Sequence, residues 1–283
     1  MGNNTLNLGT PRSGHPIRRL ALTALLLAAA LALPGGARTA RAAGLVGPRA
    51  IYLALGDSAA WGYQPNGDAY HGYADDLNAY FKLRTGGRTT LVNLACQGEN
   101  STSFIDGGCY WKQLNKQQYP GSQLQAALYV IHQYRGQVSP VTIDIGPTDF
   151  GSLIGRNDCY TPPVDLGTQI LATFDANFTY TLSQLKTALG GTGDLLTMNF
   201  PFPDQGQCAA AEPLIRIFNQ HIAADAARYG VPVADAFDAF GGFSAPNPAT
   251  CSFTWICSTY QDEHPTTAGY AALAVAFEAA AHY

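Results

Sequence analysis

A serine and a histidine near opposite ends of the chain occupy positions where they could form the nucleophile and base of a hydrolase. Ser58 closes the tripeptide Gly-Asp-Ser, which follows the short apolar run at residues 51–55. A run of this kind ending in glycine is typical of a buried parallel strand that enters a tight turn. His264 lies in the segment Asp-Glu-His-Pro. A serine hydroxyl needs a base within hydrogen-bond reach, and near neutral pH the simplest base is histidine.

Each member of this pair also has a plainer interpretation. Asp57 or Ser58 could cap a helix, because both side chains accept backbone N–H bonds at helix starts. His264 could merely precede a helix whose first turn contains Pro265. Asp57 fits the structural role better, as a brace for the turn. Ser58 fits the chemical role better because open α/β sheets bind ligands just beyond the carboxyl ends of their strands.

Apolar runs and helical patterns alternate along the rest of the chain. Strands are predicted at 50–55, 89–95, 139–145, 194–199 and 231–235. Helices are predicted near 72–85, 122–134, 165–189 and 212–229, with a last alanine-rich helix at about 266–281. Alternation of this kind implies parallel strands, right-handed crossovers and helices on both faces of the sheet. The expected fold is therefore an α/β three-layer α/β/α sandwich with a mostly parallel five-stranded sheet.

Four long loops should lie on the same side of this sheet as Ser58. They follow the second to fifth strands, at residues 96–121, 146–164, 200–211 and 241–264. Long loops inside a compact domain are usually functional. The loop segments are therefore expected to complete the site.

Four short blocks, in order, make the chain resemble the SGNH/GDSL hydrolase superfamily, in particular its secreted bacterial-type esterases and lipases. The first block is Leu-Gly-Asp-Ser, ending at Ser58, and the second is the stretch at residues 93–101. The third is Ile-Gly-Pro-Thr-Asp at residues 145–149, and the last is residues 262–265. The resemblance covers about residues 48–283 and implies the flavodoxin-like SGNH hydrolase fold. It also implies that Ser58 is the nucleophile and His264 the base.

The same resemblance implies an oxyanion hole built from three groups. They are the backbone N–H of Ser58, the backbone N–H of Gly98 and the side chain of Thr148. The family has asparagine at the last position, and threonine has a shorter donor. Losing one oxyanion donor costs on the order of 10²–10³ in turnover. A literal Gly-Arg-Asn-Asp follows at residues 155–158, so Asn157 is an alternative donor.

The acid of the triad departs from the family pattern as well. The usual acid lies three residues before the histidine, where this chain has Gln261. Asp262, two residues before His264, is the nearest carboxylate and is expected to orient the imidazole and stabilise its protonated form. Gln261 or a backbone carbonyl would hold the ring less effectively.

The N-terminal segment has the pattern of a secretory signal peptide at residues 1–42. Two arginines precede the apolar run at residues 20–33, and Ala40-Arg41-Ala42 provides the small residues of a cleavage site. A twin-arginine address and a retained membrane anchor are the alternatives, although the apolar run is short for a bilayer. Residues 43–283 are then expected to form a single hydrolase domain.

Charge and cysteine content narrow the function class. Five of the 16 basic residues and none of the 20 acidic residues lie in the signal segment, which leaves a net charge of −9 with histidine neutral. This charge argues against nucleic acid or anionic membrane as a partner. Six cysteines in an exported chain favour disulfides, and pairing neighbours in sequence is the simplest of fifteen connectivities. The predicted pairs are Cys96–Cys109, Cys159–Cys208 and Cys251–Cys257.

The sequence therefore favours a secreted serine esterase or lipase that cleaves carboxylic esters through an acyl-enzyme, with no metal or organic cofactor. The expected partner is a small-molecule or lipid ester, bound by a monomer with no stable membrane anchor and no nucleic acid. An apolar rim that suits an acyl chain is predicted from loop residues: Phe150, Phe200, Phe202, Phe240, Phe243, Phe253, Trp255 and Ile256.

Two other functions stay open. Carbohydrate deacetylation is possible because Trp61, Trp111 and many tyrosines could stack on sugar rings. A catalytically weakened protein that binds a cell-wall or lipid ligand is also possible, because Thr148 and Gln261 depart from the family pattern.

Overall fold

The computed structural model describes residues 44–151, 164–201, 211–244 and 246–283. The predicted signal peptide at residues 1–42, the alternative donor Asn157 and the predicted Cys159–Cys208 pair lie outside these residues. Among the helices that the structure describes, none combines the length and apolar character that a membrane span requires.

A five-stranded parallel sheet forms the centre of the fold. Its strands are Ile51–Gly56 (β1), Thr90–Asn93 (β2), Val138–Asp144 (β3), Leu195–Met198 (β4) and Val233–Ala234 (β5). The strand order is β2-β1-β3-β4-β5, and every adjacent pair is parallel. The α/β fold class predicted from the sequence is confirmed, and the strand order reverses at β1, between β2 and β3.

Five long helices cover the two faces of the sheet. They are Tyr73–Thr85 (α2), Gln123–Gln133 (α4), Val164–Leu189 (α6), Glu212–Arg228 (α7) and Thr267–Ala281 (α10). Five shorter ones interrupt the loops, namely Ser58–Trp61 (α1), Ser101–Asp106 (α3), Pro147–Gly151 (α5), Ala236–Ala239 (α8) and Pro248–Phe253 (α9). The long helices agree with the predicted ones to within two residues at each end. The long segments that the sequence presents as loops contain three of the short helices, α3, α5 and α9.

The strands are buried on both faces, as a parallel sheet between two helical layers requires. In β1, Leu53 and Leu55 belong to the core cluster that includes residues of α3, α4, α6 and α7. Tyr52 and Ala54, which alternate with them, belong to the cluster built with α2 and α10. The alternation follows from the two-residue period of a strand. The result is a three-layer sandwich with the carboxyl ends of the strands at one edge.

A second, two-stranded antiparallel sheet lies between α9 and α10. It pairs Thr254–Trp255 (β6) with Asp262–Pro265 (β7), with Trp255 opposite Asp262. The sequence does not predict these strands, because the second one reads Asp-Glu-His-Pro and has no apolar alternation. Their pairing nevertheless fixes the direction of the segment that carries His264.

Candidate active site

The turn after β1 presents Ser58 at the carboxyl edge of the sheet. Gly56 has φ 135°, and a Cβ there would lie 1.7 Å from Asp144 Oδ1, so only glycine fits. Asp57 caps α1, with its Oδ1 accepting the N–H of Ala59 at 2.9 Å. Ser58 is thus the first residue of a helical turn, directly after the strand. Asp57 thus braces the turn by capping α1, and Ser58 is half-buried at the carboxyl end of β1.

His264 and Asp262 meet Ser58 in one chain of hydrogen bonds. His264 Nε2 lies 2.9 Å from Ser58 Oγ, and His264 Nδ1 lies 2.6 Å from Asp262 Oδ1. The same carboxylate oxygen accepts the backbone N–H of His264 at 2.8 Å. A proton on Nδ1, bound to the carboxylate, leaves Nε2 free to accept the serine proton. An arrangement of this kind allows a serine to act as nucleophile, a histidine as base and a carboxylate to orient the histidine.

The surroundings of His264 restrict its ring further. The Tyr63 ring meets the imidazole edge to face, with 4.6 Å between ring centroids. Gln261, at the family's usual acid position, is exposed and has φ 50°. This left-handed residue immediately precedes β7. The structure therefore brings Asp262 to the imidazole, and Gln261 stays at the surface.

Gly98 lies in a tight turn beside the nucleophile. The N–H of Glu99 donates to the carbonyl of Cys96 at 3.1 Å, and Gly98 has φ 75° inside this turn. Turns of this form need glycine at the left-handed position. Within the residues described, no hydrogen bond uses the N–H of Gly98. The N–H of Ser58, at the first position of a helix, has no intrahelical acceptor either.

Thr148 lies in α5, just beyond β3, and is half-buried. Its hydroxyl has no hydrogen-bond partner among the described residues. Asp149, the next residue, accepts the N–H of Ser101 at 2.9 Å and its Oγ–H at 2.6 Å. Burial raises the pKa of the Asp149 carboxyl above its usual range. These bonds tie the loop that carries Thr148 to the helix that follows the Gly98 turn.

A pair of buried acids lies beneath Ser58. Asp144 is 1% exposed, and its Oδ2 accepts the N–H of Ala60 at 2.9 Å. The Tyr73 hydroxyl donates to Asp144 Oδ1 at 3.3 Å. Burial raises the pKa of Asp57 to about 6 and raises that of Asp144 well above its usual range, where the neighbouring Asp57 charge adds to the effect. Burial thus favours the protonated form of each carboxyl group.

Two of the three predicted cysteine pairs are present as disulfides. Cys96–Cys109 closes the loop that contains the Gly98 turn and α3, and Cys251–Cys257 links α9 to the segment after β6. Within the described residues, the one group of potential metal ligands close enough to share an ion is Cys96, Glu99 and Cys109. The two cysteines are bonded to each other, so they provide no thiolate for a metal.

The expected apolar rim is only partly present. Phe150 and Phe240 are buried in the two cores, so the expectation that they line the site is wrong. Phe200, Phe243, Phe253, Trp255 and Ile256 are partly buried, and Phe202 lies outside the described residues. Trp111 is 44% exposed and its indole packs against Gly98, where a Cβ would lie 3.4 Å from Trp111 Cδ1. Tyr110, 76% exposed, meets Trp111 edge to face.

Sequence reasoning missed Asp144 and Tyr63 as neighbours of the triad. Asp144 could have been predicted from the sequence, because it is an acid at the end of an otherwise apolar strand. Tyr63 had none, because its contact with His264 spans most of the chain.

The residues from Ala54 to Ala272 match the family model described as the GDSL-like lipase/acylhydrolase family. The chain belongs to this family. Membership, together with esterases among similar solved structures, makes the protein an ester-hydrolysing enzyme of the SGNH fold. No curated protein matches the chain.

Two solved structures illustrate the likeness of fold. The acetylxylan esterase Axe2 from Geobacillus stearothermophilus is 15% identical, with a TM-score of 0.56, and the alignment covers 84% of this chain and 96% of that one. LAE5, an α/β hydrolase enzyme from the metagenome of Lake Arreo, Spain, is 18% identical, with a TM-score of 0.52 and coverage of 83% and 96%. At these identities the likeness concerns the fold alone.

Proposed function

We propose that this protein is a serine esterase that works through an acyl-enzyme. Ser58 Oγ attacks the ester carbonyl carbon, and its proton passes to His264 Nε2. When the tetrahedral intermediate collapses, the C–O bond to the alcohol breaks and the alcohol takes that proton. Water then attacks the acyl-enzyme by the same route and releases the acid. The observation that carries this proposal is the continuous set of bonds from Ser58 Oγ through His264 to Asp262.

The oxyanion of each tetrahedral intermediate would be held by the N–H groups of Ser58 and Gly98, with the Thr148 hydroxyl as a third donor. Both backbone N–H groups lack an acceptor in the residues described. Preorganised donors of this kind usually supply a large share of the rate enhancement. Asp262 would orient His264 and stabilise its protonated form.

A fluorophosphonate probe and a p-nitrophenyl ester test this proposal together. The parent protein should be labelled at Ser58, and Ser58→Ala should lose labelling and lower kcat on the order of 10³-fold or more. Ser252→Ala, at an exposed serine near His264, should leave both unchanged. An unlabelled parent would contradict the proposal and favour the alternative of a binding protein on a hydrolase fold.

The substrate proposed first is a lipid or simple acyl ester. Partly exposed apolar side chains on either side of β6, namely Phe253 at the end of α9 and Ile256, support an acyl-binding surface. The enzyme should then prefer p-nitrophenyl octanoate to the acetate. A preference for acetate would exclude a chain-length-selective acyl pocket.

An acetylated carbohydrate is the second candidate, favoured by the exposed aromatic surface of Tyr110 and Trp111 beside Gly98. Exposed aromatic faces stack well on sugar rings. If the alcohol part is a sugar, Trp111→Ala should lower kcat/KM for acetylated xylo-oligosaccharides by tenfold or more while changing p-nitrophenyl acetate hydrolysis less than threefold. Equal losses on both substrates would argue against sugar stacking.

Export to the cell exterior is part of the same proposal. The N-terminal pattern of a signal peptide and the two disulfides near the site support it. Mass spectrometry of protein secreted by a bacterial host should find an N-terminus at Ala43. Retention of residues 1–42 on the exported protein would contradict it.

A further inference from the structure

Gln123 is a buried polar residue that contacts the nucleophile turn without belonging to any sequence block. It is the first residue of α4 and is 1% exposed. Its Oε1 accepts the N–H of Gly56 at 2.6 Å, and its Nε2 donates to the carbonyl of Gly56 at 2.9 Å. One amide therefore forms hydrogen bonds with both the N–H and the carbonyl of Gly56, which lies two residues before Ser58.

The geometry of the sheet explains why Gly56 is hydrogen-bonded to a side chain at this point. Gly56 pairs with Asp144 of β3 on one side. On the other side β2 ends at Asn93; the segment beyond it still donates the N–H of Cys96 to the carbonyl of Gly56 at 3.1 Å, while the N–H of Gly56 is accepted by the Gln123 side chain. A buried N–H without an acceptor is destabilising. Gln123 substitutes for the missing strand at the point where β1 enters the turn.

The same amide also holds the turn that contains Gly98. Gln123 Nε2 donates to Glu99 Oε2 at 2.9 Å, and Glu99 Oε1 accepts the hydroxyl of Ser103. Glu99 is buried and directly follows Gly98. Both groups that Gln123 contacts, Gly56 and Glu99, thus lie within two residues of a backbone donor of the oxyanion hole.

We propose that Gln123 is a positioning residue that fixes the separation between the oxyanion donors of Ser58 and Gly98. The inference rests on the proposed function, because it takes these two N–H groups as the oxyanion hole. Each donor sits on its own turn after its own strand. One backbone bond, from the N–H of Cys96 to the carbonyl of Gly56, joins the two turns, and the Gln123 amide is the side chain that bonds to both. A displacement of about 1 Å at such a site can cost on the order of 10² in rate.

Gln123→Met tests the proposal, because it keeps the side-chain volume and removes both polar atoms. The number of active sites is first titrated with a fluorophosphonate, and kcat and KM for a p-nitrophenyl ester are then measured per titrated site. We expect kcat to fall at least tenfold, KM to stay within twofold, and the second-order labelling rate to fall in parallel with kcat. A purely structural role would lower the fraction of active protein and leave the rate per titrated site unchanged.

A second pair of variants removes or keeps the hydrogen bond between Gln123 and Glu99. Both variants leave the two hydrogen bonds between Gln123 and Gly56 intact. Glu99→Met removes the acceptor for Gln123 and should lower kcat per titrated site by severalfold to tenfold. Glu99→Gln keeps an acceptor oxygen and should retain clearly more activity than Glu99→Met. If Gln123→Met does not fold, this pair decides the matter.

Gln125→Ala is the matched control. Gln125 lies on the same helix, is exposed, and accepts the N–H of Ser122 with its own side chain at 3.3 Å. It should behave as the parent does. The proposal is overturned if Gln123→Met and Glu99→Met both keep kcat per titrated site within threefold of the parent. Failure of the parent to be labelled at Ser58 would instead overturn the proposed function.

Discussion

Asp194 and Asp144 are buried carboxyl groups at opposite edges of the same sheet, and their surroundings differ. Asp194 immediately precedes β4, at the amino edge, and is 4% exposed. It accepts the N–H groups of Val46 and Gly47 at 2.8 and 2.7 Å and the hydroxyl of Tyr283 at 2.7 Å. Asp144 ends β3 at the carboxyl edge, where its nearest acid is Asp57.

The comparison shows that a buried aspartate can either stabilise the fold or tune the surroundings of the candidate site. At the amino edge, several donors surround one carboxylate, so the group holds distant segments of the chain together. At the carboxyl edge, two acids share the space and fewer donors are available. Buried charges are retained at low cost only where hydrogen bonds compensate them. We therefore expect variants at the amino edge to change stability, and variants at the carboxyl edge to change chemistry or its pH dependence.

The largest effect should come from Asp262→Asn at the carboxyl edge. A neutral amide stabilises the protonated His264 poorly, so kcat should fall on the order of 10²–10⁴. The free energy of unfolding should change by only about 1 kcal/mol, because asparagine keeps an oxygen that can accept the backbone N–H of His264. Ester hydrolysis and urea unfolding measure the two quantities. Gln261→Ala is the control, and a similar loss of kcat in that variant would contradict the assignment of Asp262.

Asp194→Ala should give the opposite pattern at the amino edge. Removing the acceptor leaves two backbone N–H groups and a tyrosine hydroxyl unpaired, which should lower the free energy of unfolding by about 3–5 kcal/mol. The rate per titrated site should stay within twofold of the parent. Asp106→Ala, at an exposed acid, should leave both quantities unchanged. A large loss of rate per titrated site in Asp194→Ala would break the comparison.

Thr148 tests whether the oxyanion hole is complete. Thr148→Val removes a hydroxyl that has no other partner among the described residues, so kcat should fall by up to on the order of 10²-fold while KM barely changes. Thr148→Asn should raise kcat above that of the parent, because an amide reaches further. Kinetics on a p-nitrophenyl ester decide the matter. If both variants stay within a few-fold of the parent, Thr148 is a bystander.

The smallest effect should appear in the pH dependence of stability. Because the pKa of Asp57 is raised to about 6 in the folded protein, the folded state binds more protons than the unfolded state above the ordinary aspartate pKa. Stability should therefore fall as pH rises from about 4 to about 6. Asp144→Asn removes one acid of the pair and should reduce this fall by on the order of 1 kcal/mol.

Urea unfolding of the parent and of Asp144→Asn, repeated at several pH values, measures this difference. Asp106→Asn should give a curve parallel to that of the parent. Parallel curves for the parent and Asp144→Asn would mean that the Asp57–Asp144 pair does not titrate as the geometry indicates.

The elements that the sequence predicts well are those whose pattern is local. The apolar run of β1 and the alternation of strands and helices indicated the parallel sheet, because burial on both faces requires such runs. β5 is shorter than the predicted 231–235, since only Val233–Ala234 pair with β4. The helix α3 was missed although Asn100 and Ser103 form a capping box at its start. That signal is present in the sequence at residues 100–103.

The residues of the candidate site likewise fall into those that a local motif indicates and those that only distant contacts bring together. Ser58, His264 and Asp262 stand in short blocks with a recognisable order, so motif and chemistry together indicated them. Gln123 could not be found, because its partners are the backbone of Gly56, 67 residues earlier, and the side chain of Glu99, 24 residues earlier. A contact between a side chain and a distant backbone leaves no pattern in one sequence.

The acid and the base of the triad lie two residues apart on one short strand, and a single oxygen of Asp262 binds both the backbone and the ring of His264. Their relative geometry is thus encoded by a few consecutive codons. An insertion or deletion elsewhere in the gene moves the two together and alters only their distance from Ser58. The two residues could therefore be inherited, or moved to another protein, as one short segment. The segment would need only to place the histidine within hydrogen-bond distance of a serine.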